Sequence, residues 1–250
     1  MSGPWQTAWV TGASHGIGRA LAEQLADSGT RVAVSARSEK ALLDLHDSQP
    51  RIVPCPLDVT DEAAVVAVLD TIEKDIGLPD LAILNAGIYE PGYAAAVTAG
   101  DYRRHMEVNY LGVTNCLAAL LSRMLARGAG QIAIVGSVAG YRGLPQAAAY
   151  GPTKAALNNL AETLRLEVQG SGVDIRLVSP GFVATRLTDK NPFAMPAIMT
   201  PVAASDTIIR GLEGKRFEIA FPRRFVAWLK FARILPWGLY GRLVRRVTGQ

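Results

Sequence analysis

One glycine-rich turn constrains the fold of this chain more than any other feature. Residues 7–10 form a short apolar run that is typical of a buried parallel strand. Gly12, Gly16 and Gly18 follow, and residues 19–26 then have helical character. In such a unit the glycines allow a tight turn, close approach of a pyrophosphate to the backbone, and close packing of the helix. Because the first helical amides would face the phosphates, the turn predicts a dinucleotide site; the alternative is a plain turn.

The alternation of strands and helices continues along the chain without a linker, an internal repeat or a low-complexity segment. Further strands are predicted at residues 31–35, 52–57, 81–84, 131–136 and 174–178. Helices are predicted at residues 63–76, 101–127 and 150–169. A chain of 250 residues that is 49% hydrophobic can bury a large core. The pattern predicts one α/β domain with a doubly wound, mostly parallel sheet and helices on both faces.

Cysteine and histidine usage argues against disulfides and metals. Cys55 and Cys116 lie far apart with no pairing pattern, which favours a reducing, cytoplasmic location. The histidines show no ligand-like spacing, so we expect no catalytic metal; they are His15, His46 and His105. Residues 1–6 show no signal-peptide pattern, and no apolar run is long enough to cross a bilayer.

The segment after the second strand bears on the choice of cofactor. An acidic residue about 20 positions beyond the glycines would bind the ribose 2′-hydroxyl of NAD. This chain has Arg37 there and no carboxylate. A guanidinium can form charge-assisted hydrogen bonds with a 2′-phosphate, and Ser14, His15 and Ser38 could add donors. The sequence therefore favours NADP(H) over NAD(H); the alternative is that Arg37 is a solvated loop cation.

Other polar and small residues stand where strands end. Asp58 follows the third strand, where it could accept a hydrogen bond from an adenine amino group or serve as a turn carboxylate. Residues 85–87 follow the fourth strand, at the edge where doubly wound sheets bind ligands. Asn109 places an amide among apolar neighbours, so it either satisfies nearby backbone or belongs to a site.

Tyr150 and Lys154 form a pair suited to acid–base chemistry. They lie one turn apart if a helix begins there. An unperturbed phenol has a pKa of about 10, and a nearby ammonium would lower that pKa toward the working pH. Because Pro152 is tolerated only in the first helical turn, Tyr150 must stand close to the start of the helix. The alternative is a solvated helix face that carries the pair by chance.

Taken together, these pieces resemble the classical short-chain dehydrogenase/reductase family. The resemblance covers about residues 5–222, and the glycine spacing is that of the classical branch. The matching residues are Thr11–Gly18, Asn85–Gly87, Asn109, Ser137, Tyr150–Lys154 and Pro180–Thr185. The family implies a seven-stranded Rossmann-type sheet, with the seventh strand at residues 217–221, and a single catalytic domain at residues 1–222.

The resemblance also implies roles for individual side chains. Tyr150 would be the general acid in carbonyl reduction and the general base in alcohol oxidation. Lys154 would lower its pKa and hold the nicotinamide ribose. Ser137 would hydrogen-bond the substrate oxygen, so that Ser137 and Tyr150 together bind the substrate. Asn109 would order a water molecule that connects Lys154 to solvent.

The implied cofactor site draws on the loops at the ends of several strands. Asn85 would lie near the adenosine ribose, and residues 180–185 would line the nicotinamide. The residues expected to bind the cofactor are Gly12, Ser14, His15, Gly16, Ile17, Gly18, Arg37, Asp58, Val59, Asn85, Ala86, Gly87, Tyr150, Lys154, Pro180, Gly181, Val183 and Thr185.

Residues 186–201 are expected to form a lid over the substrate. Its apolar inner face would consist of Phe193, Met195, Ile198 and Met199. The loop between the fifth strand and Tyr150 would also touch the substrate, through Tyr141, Arg142 and Leu144. Arg142 would suit an acidic group on the substrate. This predicts a hydrophobic ketone or aldehyde; the alternative is that the apolar side chains simply pack the loop down.

Residues 223–250 extend past the core of the family. The segment from residue 221 onward has seven Arg or Lys residues and no Asp or Glu, within a net charge of +4 for the whole chain. Phe225, Trp228, Leu229 and Ala232 form an apolar stripe. The extension could lie on an anionic membrane, pack against a subunit or roof the pocket. Interleaved aliphatic residues do not favour nucleic acid.

Two functions are consistent with these features. The first is an NADP(H)-dependent carbonyl reductase or alcohol dehydrogenase, which the family would lead us to expect as a homodimer or homotetramer. The second is an NADP(H)-binding sensor or scaffold whose tail docks on a membrane or partner. A pure sensor has no need of Ser137, Tyr150, Lys154 and Asn109, so the complete set favours the enzyme.

Overall fold

A seven-stranded parallel sheet forms the centre of the molecule. The computed structural model describes residues 3–190 and 195–248. The strand order is β3-β2-β1-β4-β5-β6-β7, and every neighbouring pair is parallel. The strands are β1 Thr7–Thr11, β2 Arg31–Ser35, β3 Ile52–Pro54, β4 Leu81–Leu84, β5 Gly130–Val135, β6 Val173–Pro180 and β7 Glu218–Phe221. The sheet confirms the predicted doubly wound architecture, including the seventh strand.

Helices cover both faces of this sheet. They are α1 Gly16–Asp27, α2 Glu39–Ser48, α3 Glu62–Ile76, α4 Ala99–Met106, α5 Gly112–Arg127, α6 Tyr150–Glu167, α7 Pro201–Glu213, α8 Arg223–Arg233 and α9 Trp237–Thr248. The predicted helix at residues 101–127 is broken, because a π-helical turn, Glu107–Leu111, separates α4 from α5. A short 3-10 turn, Val138–Gly140, follows β5.

The core consists of two apolar layers, one on each face of the sheet. Strand residues such as Trp9 and Ile132 are fully buried on one face with residues of α3, α5 and α6. Val10 and Ile83 are fully buried on the other face with residues of α1, α2 and α7. Because the strands are covered on both faces, they are apolar along their length rather than alternating. The short apolar runs in the sequence are therefore well suited to central parallel strands.

The carboxyl ends of the strands all meet at one edge of the sheet. Parallel pairing puts the turn after β1, the loops after β2 and β3, and the segments after β4, β5 and β6 along this edge. Ligands bind at this edge in doubly wound sheets, where the strand order reverses. The reversal here lies between β1 and β4, so the fold itself brings the predicted site residues together.

Candidate active site

The glycine turn after β1 is shaped for close approach of backbone or ligand. Gly12 and Gly16 have φ angles of +69° and +60°, which residues with a Cβ rarely adopt. A Cβ on Gly18 would lie 2.4 Å from the carbonyl oxygen of Gly12. His15 caps α1 without a side-chain hydrogen bond, so the first amides of the helix remain available to an anion. The turn therefore fits the pyrophosphate of a dinucleotide.

Asn85 fastens this turn to the loop after β4. Its side-chain amide donates to the carbonyl oxygens of Thr11 at 3.0 Å and Gly12 at 3.2 Å. The Thr11 hydroxyl accepts hydrogen bonds from the backbone amides of Asn85 and Ala86. The two loops thus form one unit at the point where the strand order reverses. This contact gives Asn85 a structural role beside the expected contact with a ribose.

Arg37 and Asp58 follow neighbouring strands and lie at the end of the edge expected to hold the adenosine. The Asp58 carboxylate accepts hydrogen bonds from the Thr60 amide at 3.0 Å and the Thr60 hydroxyl at 2.8 Å. Burial works to raise the pKa of the Asp58 carboxyl, but these bonds and the nearby Arg37 guanidinium hold that pKa below its usual value. Arg37 is exposed. Ser38 is used to cap α2, accepting from the Ala41 amide.

Ser137 stands two residues past the end of β5, and one of its hydrogen-bonding functions is already used. Its hydroxyl oxygen accepts a hydrogen bond from the Ala139 amide at 3.1 Å, as part of the 3-10 turn. A serine hydroxyl also has one proton to donate. The Ser137 hydroxyl lies close enough to the Tyr150 hydroxyl to work to lower the pKa of that phenol. These two side chains, predicted to meet at a substrate oxygen, therefore lie close together.

Tyr150 is the first residue of α6, as Pro152 requires. Lys154 follows one turn later and is only 4% exposed. Its Nζ donates to the carbonyl oxygen of Val135 at 2.9 Å and lies 5.6 Å from the centroid of the Tyr150 ring. The ammonium is thus next to the phenol ring but is hydrogen-bonded to the end of β5.

The protonation of this pair differs from the sequence-based expectation. Burial raises the pKa of Tyr150 to about 12, although the nearby Ser137 hydroxyl works to lower it. Burial also lowers the pKa of Lys154 to about 8. The expected lowering of the tyrosine pKa is therefore not observed, because desolvation disfavours both charged forms. Tyr150 is a protonated phenol near neutral pH, which is the state a proton donor needs.

The π-helical turn presents Asn109 to the loop after β4. The Asn109 Oδ1 accepts from the Ile88 amide at 2.7 Å, and its Nδ2 donates to the Ile88 carbonyl at 3.0 Å and to Thr153 Oγ1 at 3.2 Å. Thr153 in turn donates to the Tyr150 carbonyl. Asn109 is fully buried. The structure thus shows it fixing the loop and the start of α6 directly.

Gly87 is the point where Asn109 and Lys154 approach each other. A Cβ there would lie 3.1 Å from Asn109 Oδ1 and 3.7 Å from Lys154 Nζ. The motif at residues 85–87 therefore needs its glycine for packing against two proposed catalytic side chains.

Sequence reasoning missed Tyr89. Its ring lies edge-on to the Tyr150 ring, with centroids 4.9 Å apart and planes 69° apart. Burial raises the pKa of Tyr89. Its position two residues past Gly87, at the ligand-binding edge, is the signal that could have identified it. Tyr89 gives the site an aromatic wall beside the proposed acid.

The segment after β6 reaches from the extension to the glycine turn. A Cβ on Gly181 would lie 3.3 Å from the Phe225 ring in α8. At the other end, Thr185 Cγ2 would lie 2.9 Å from a Cβ on Gly16. Pro180 and Val183 are buried between these ends. The predicted nicotinamide segment therefore does border the phosphate turn.

The predicted lid is only partly described. Phe193 lies outside the described residues. Met199 packs against the core and pairs with Val183, whereas Ile198 is 44% exposed. Ile198 is therefore exposed and does not contribute to an apolar inner face in the described part of the lid.

The side chains of Tyr141 and Arg142 hold the extension. Arg142 donates to the carbonyl oxygens of Ala232, Arg233 and Leu235 at 2.7–3.0 Å, and its guanidinium lies 4.0 Å from the Tyr240 ring centroid. One guanidinium nitrogen of Arg142, Nη1, therefore holds the end of α8, and the expected contact of Arg142 with an acidic group of the substrate stays a prediction.

Tyr141 is part of a second tie between the same elements. Its hydroxyl, the Ser179 hydroxyl and the Lys230 ammonium all donate to the Glu218 carboxylate. Burial works to raise the pKa of the Glu218 carboxyl, but these three hydrogen bonds hold that pKa below its usual value. Tyr141 and Leu144 line a cavity of only about 10 Å³ under Leu229 and Tyr240. These side chains, expected to touch the substrate, therefore pack against the extension.

Neither a metal cluster nor a membrane span is evident in the part of the chain that the structure describes. Residues 3–190 and 195–248 contain no group of three or more His, Cys, Asp or Glu side chains placed to hold a metal ion. None of the helices within those ranges is long and apolar enough to cross a bilayer. Both cysteines are buried and unpaired.

Comparisons with known proteins identify the family of this chain. Residues 6–194 match the family model described as short chain dehydrogenase. An uncharacterized oxidoreductase of Myxococcus xanthus is 34% identical over 97% of this chain and 98% of its own length. A short-chain dehydrogenase from Burkholderia cenocepacia, solved in complex with NADP, is 28% identical, covers 97% of this chain and 98% of its own, and has a TM-score of 0.84.

A second solved structure supports the fold alone. It is a short-chain dehydrogenase/reductase from Burkholderia phymatum in complex with NAD, 24% identical, covering 92% of each chain with a TM-score of 0.84. With most of the chain matched by the family model and by a full-length relative, the protein belongs to the short-chain dehydrogenase/reductase family of NAD(P)-dependent oxidoreductases.

Proposed function

We propose that this protein is an NADP(H)-dependent oxidoreductase that interconverts a carbonyl and an alcohol on a hydrophobic ketone or aldehyde. The observation that carries the proposal is the meeting of Ser137, Tyr150 and Lys154 at the carboxyl edge of the sheet, beside a glycine turn shaped for a pyrophosphate. A sensor would need the turn but not the acid.

In carbonyl reduction, Tyr150 gives its proton to the substrate oxygen. Its raised pKa keeps that proton in place until charge develops on the oxygen. The Ser137 oxygen already accepts from Ala139, which leaves its proton to be donated to the same substrate oxygen. A bound dihydronicotinamide supplies the hydride. Alcohol oxidation uses the same groups in the opposite direction, with Tyr150 as the base.

Lys154 and Asn109 support this acid in different ways. The Lys154 ammonium, beside the Tyr150 ring, would hold the nicotinamide ribose hydroxyls, as in the family. Asn109 is a positioning residue, because its bonds to Ile88 and Thr153 fix the loop and helix on either side of the site.

The preference for NADP(H) rests on the segment after β2. Arg37 is exposed there, and residues 35–38 contain no carboxylate that could repel a 2′-phosphate. The Burkholderia cenocepacia relative was solved with NADP, whereas the more distant Burkholderia phymatum protein was solved with NAD. The relatives alone therefore leave both cofactors open, and Arg37 supplies the argument for NADP(H).

The preference for a hydrophobic substrate rests on apolar side chains of the loop after β4, the segment after β6 and α8. Tyr89 packs edge-on against Tyr150. Phe182 and Phe225 face each other, with ring centroids 5.8 Å apart, at the end of β6. Met195 and Met199 lie in the described part of the lid. These aromatic and methionine side chains favour an apolar carbonyl compound.

A homo-oligomeric enzyme is also part of the proposal. The family commonly pairs through the helices around residues 101–127 and 150–169. In this chain these segments expose four apolar side chains, Met106, Leu111, Leu125 and Leu166. The buried, unpaired cysteines suit the reducing, cytoplasmic location expected from the sequence.

Turnover with a panel of lipophilic carbonyl compounds tests the proposal. NADPH consumption should be observed with one or more of the long-chain 3-oxo compounds, steroids and aromatic ketones in the panel. Ser137→Ala should lose about 10²–10³-fold in rate, because one donor to the developing oxyanion is removed. Tight NADPH binding without turnover of any compound would instead favour the sensor or scaffold.

A further inference from the structure

The extension, α8 and α9, docks on the enzyme by one apolar face. Val226 and Leu229 pack against Val138 and Tyr141. Ala232 packs with Tyr240 and Val244, which joins α9 to α8. Together with the ties formed by Arg142 and Glu218, this packing makes the two helices part of the body of the enzyme.

Outside these contacts, the extension exposes large apolar side chains. Along α8, the turn and the start of α9, the exposed residues and their exposed fractions are Trp228 37%, Phe231 59%, Ile234 76%, Trp237 72% and Leu239 53%. Isolated exposed apolar residues are common, but five within twelve positions, two of them Trp, are typical of an interaction surface.

Cations without acidic partners occur on the same two helices. Six exposed arginines form no ion pair among the described residues; they are Arg223, Arg224, Arg233, Arg242, Arg245 and Arg246. Lys230 is paired, with Glu218. Because the sequence has no Asp or Glu after residue 218, the charge is not compensated from within the extension. We call these five apolar residues and six arginines the basic apolar surface.

We propose that the basic apolar surface binds the face of an anionic lipid bilayer. Trp and Phe side chains favour the headgroup boundary, where an apolar ring meets a polar medium. Arginines near an anionic surface each strengthen binding by about fivefold. Helices α8 and α9, Arg223–Arg233 and Trp237–Thr248, are too short to cross a bilayer, so they would lie along its surface.

Charge favours a lipid surface over a second copy of this chain. A symmetric dimer brings the same patch of both subunits together. Contact through the basic apolar surface would therefore place two sets of six arginines against each other with no carboxylates between them. An anionic bilayer supplies both the apolar layer and the compensating charge.

Vesicle co-sedimentation of the full-length protein tests this proposal. Wild type should bind vesicles of equal parts phosphatidylcholine and phosphatidylglycerol more tightly than phosphatidylcholine vesicles, and added salt should weaken binding. Arg245→Gln/Arg246→Gln should bind about 30-fold more weakly, since two such charges are removed. Ile234→Ser/Trp237→Ser should also lose binding, by about tenfold or more, because the inserted apolar area is lost.

Matched controls separate this surface from general effects. Arg103→Gln/Lys215→Gln removes the same charge from exposed positions elsewhere, and Leu43→Ser/Val202→Ser removes exposed apolar side chains from α2 and α7. Both controls should bind like wild type. NADPH binding checks that each variant is folded, and vesicle binding is scored independently of turnover, so failure of the proposed reaction would not affect this result.

Several outcomes would overturn the proposal. Failure of wild type to bind anionic vesicles at low salt would overturn it. Binding of both surface variants as tightly as wild type would also overturn it. Dimers that dissociate in Ile234→Ser/Trp237→Ser, without vesicle binding by wild type, would assign the surface to a second copy. Retention on nucleic acid without vesicle binding would also refute a lipid partner.

Discussion

At the scale of single residues, burial controls the charge of the proposed acid and its neighbour. The pKa of Tyr150 rises to about 12 and that of Lys154 falls to about 8, both because the charged form is desolvated. The phenol therefore keeps its proton, while the lysine remains largely charged only up to about pH 8. The charged, desolvated Lys154 therefore lowers the free energy of unfolding relative to a neutral side chain at the same position.

Lys154→Met should change how stability depends on pH. Since the folded pKa of about 8 lies below the ordinary value of 10.5, the unfolded chain binds more protons between these pH values. The free energy of unfolding of wild type should therefore rise with pH in this window relative to the variant, by about 3 kcal/mol in total. Denaturant melts from pH 7 to 10 of both proteins measure this difference. Parallel curves would show that Lys154 is not desolvated.

Arg37→Gln should weaken NADPH binding by about 10–100-fold and leave NADH binding nearly unchanged. The guanidinium is placed to form charge-assisted hydrogen bonds with a 2′-phosphate, which NADH lacks. Titration of both cofactors, followed by fluorescence, gives the two dissociation constants. Arg31→Gln is the matched control, because Arg31 is exposed at the opposite end of β2. Equal loss of both cofactors would contradict the role of Arg37.

At the scale of elements, the π-helical turn and the loop after β5 position the site. The turn Glu107–Leu111 directs the Asn109 amide toward Ile88 and Thr153. The loop after β5 carries both Ser137, at the site, and Arg142, which donates hydrogen bonds to the extension. Movement of the extension would therefore displace the loop that carries Ser137, the proposed donor to the substrate oxygen.

Arg142→Lys should loosen the extension nearly as much as Arg142→Ala. One guanidinium nitrogen reaches three carbonyls while the planar group stacks on Tyr240, and an ammonium cannot reproduce this geometry. We expect a loss of about 1–3 kcal/mol in the free energy of unfolding and faster amide exchange in α8 and α9. Arg103→Lys, at an exposed site on α4, is the control. Unchanged exchange in Arg142→Ala would refute the tie.

The sequence predicted the elements of the site better than the partners of its side chains. Apolar runs and glycine positions depend on local chemistry, so the strands, the turn after β1 and the start of α6 at Tyr150 were foreseen. The π-helical turn was not, because its residues resemble an ordinary helix. The contacts of Arg142 depend on how the extension folds back, and the pKa of Tyr150 depends on burial that no motif specifies.

At the scale of the whole molecule, parallel order brings distant segments to one edge. Segments that follow β1, β4, β5 and β6 meet at the edge where the proposed acid lies, and the extension packs against the loop after β5. The same extension carries the basic apolar surface. The architecture therefore places the proposed cofactor site, the proposed proton donor and the proposed lipid contact within one domain.

The most direct test of the proposed chemistry is a single turnover by Tyr150→Phe loaded with NADPH and mixed with a carbonyl substrate found in the panel. Removing only the phenol oxygen should slow NADPH oxidation by about 10²–10⁴-fold, the usual contribution of a general acid, with NADPH affinity unchanged. Tyr102→Phe, on the exposed side of α4, should react like wild type. A Tyr150→Phe variant that oxidises NADPH at the wild-type rate would contradict Tyr150 as the proton donor.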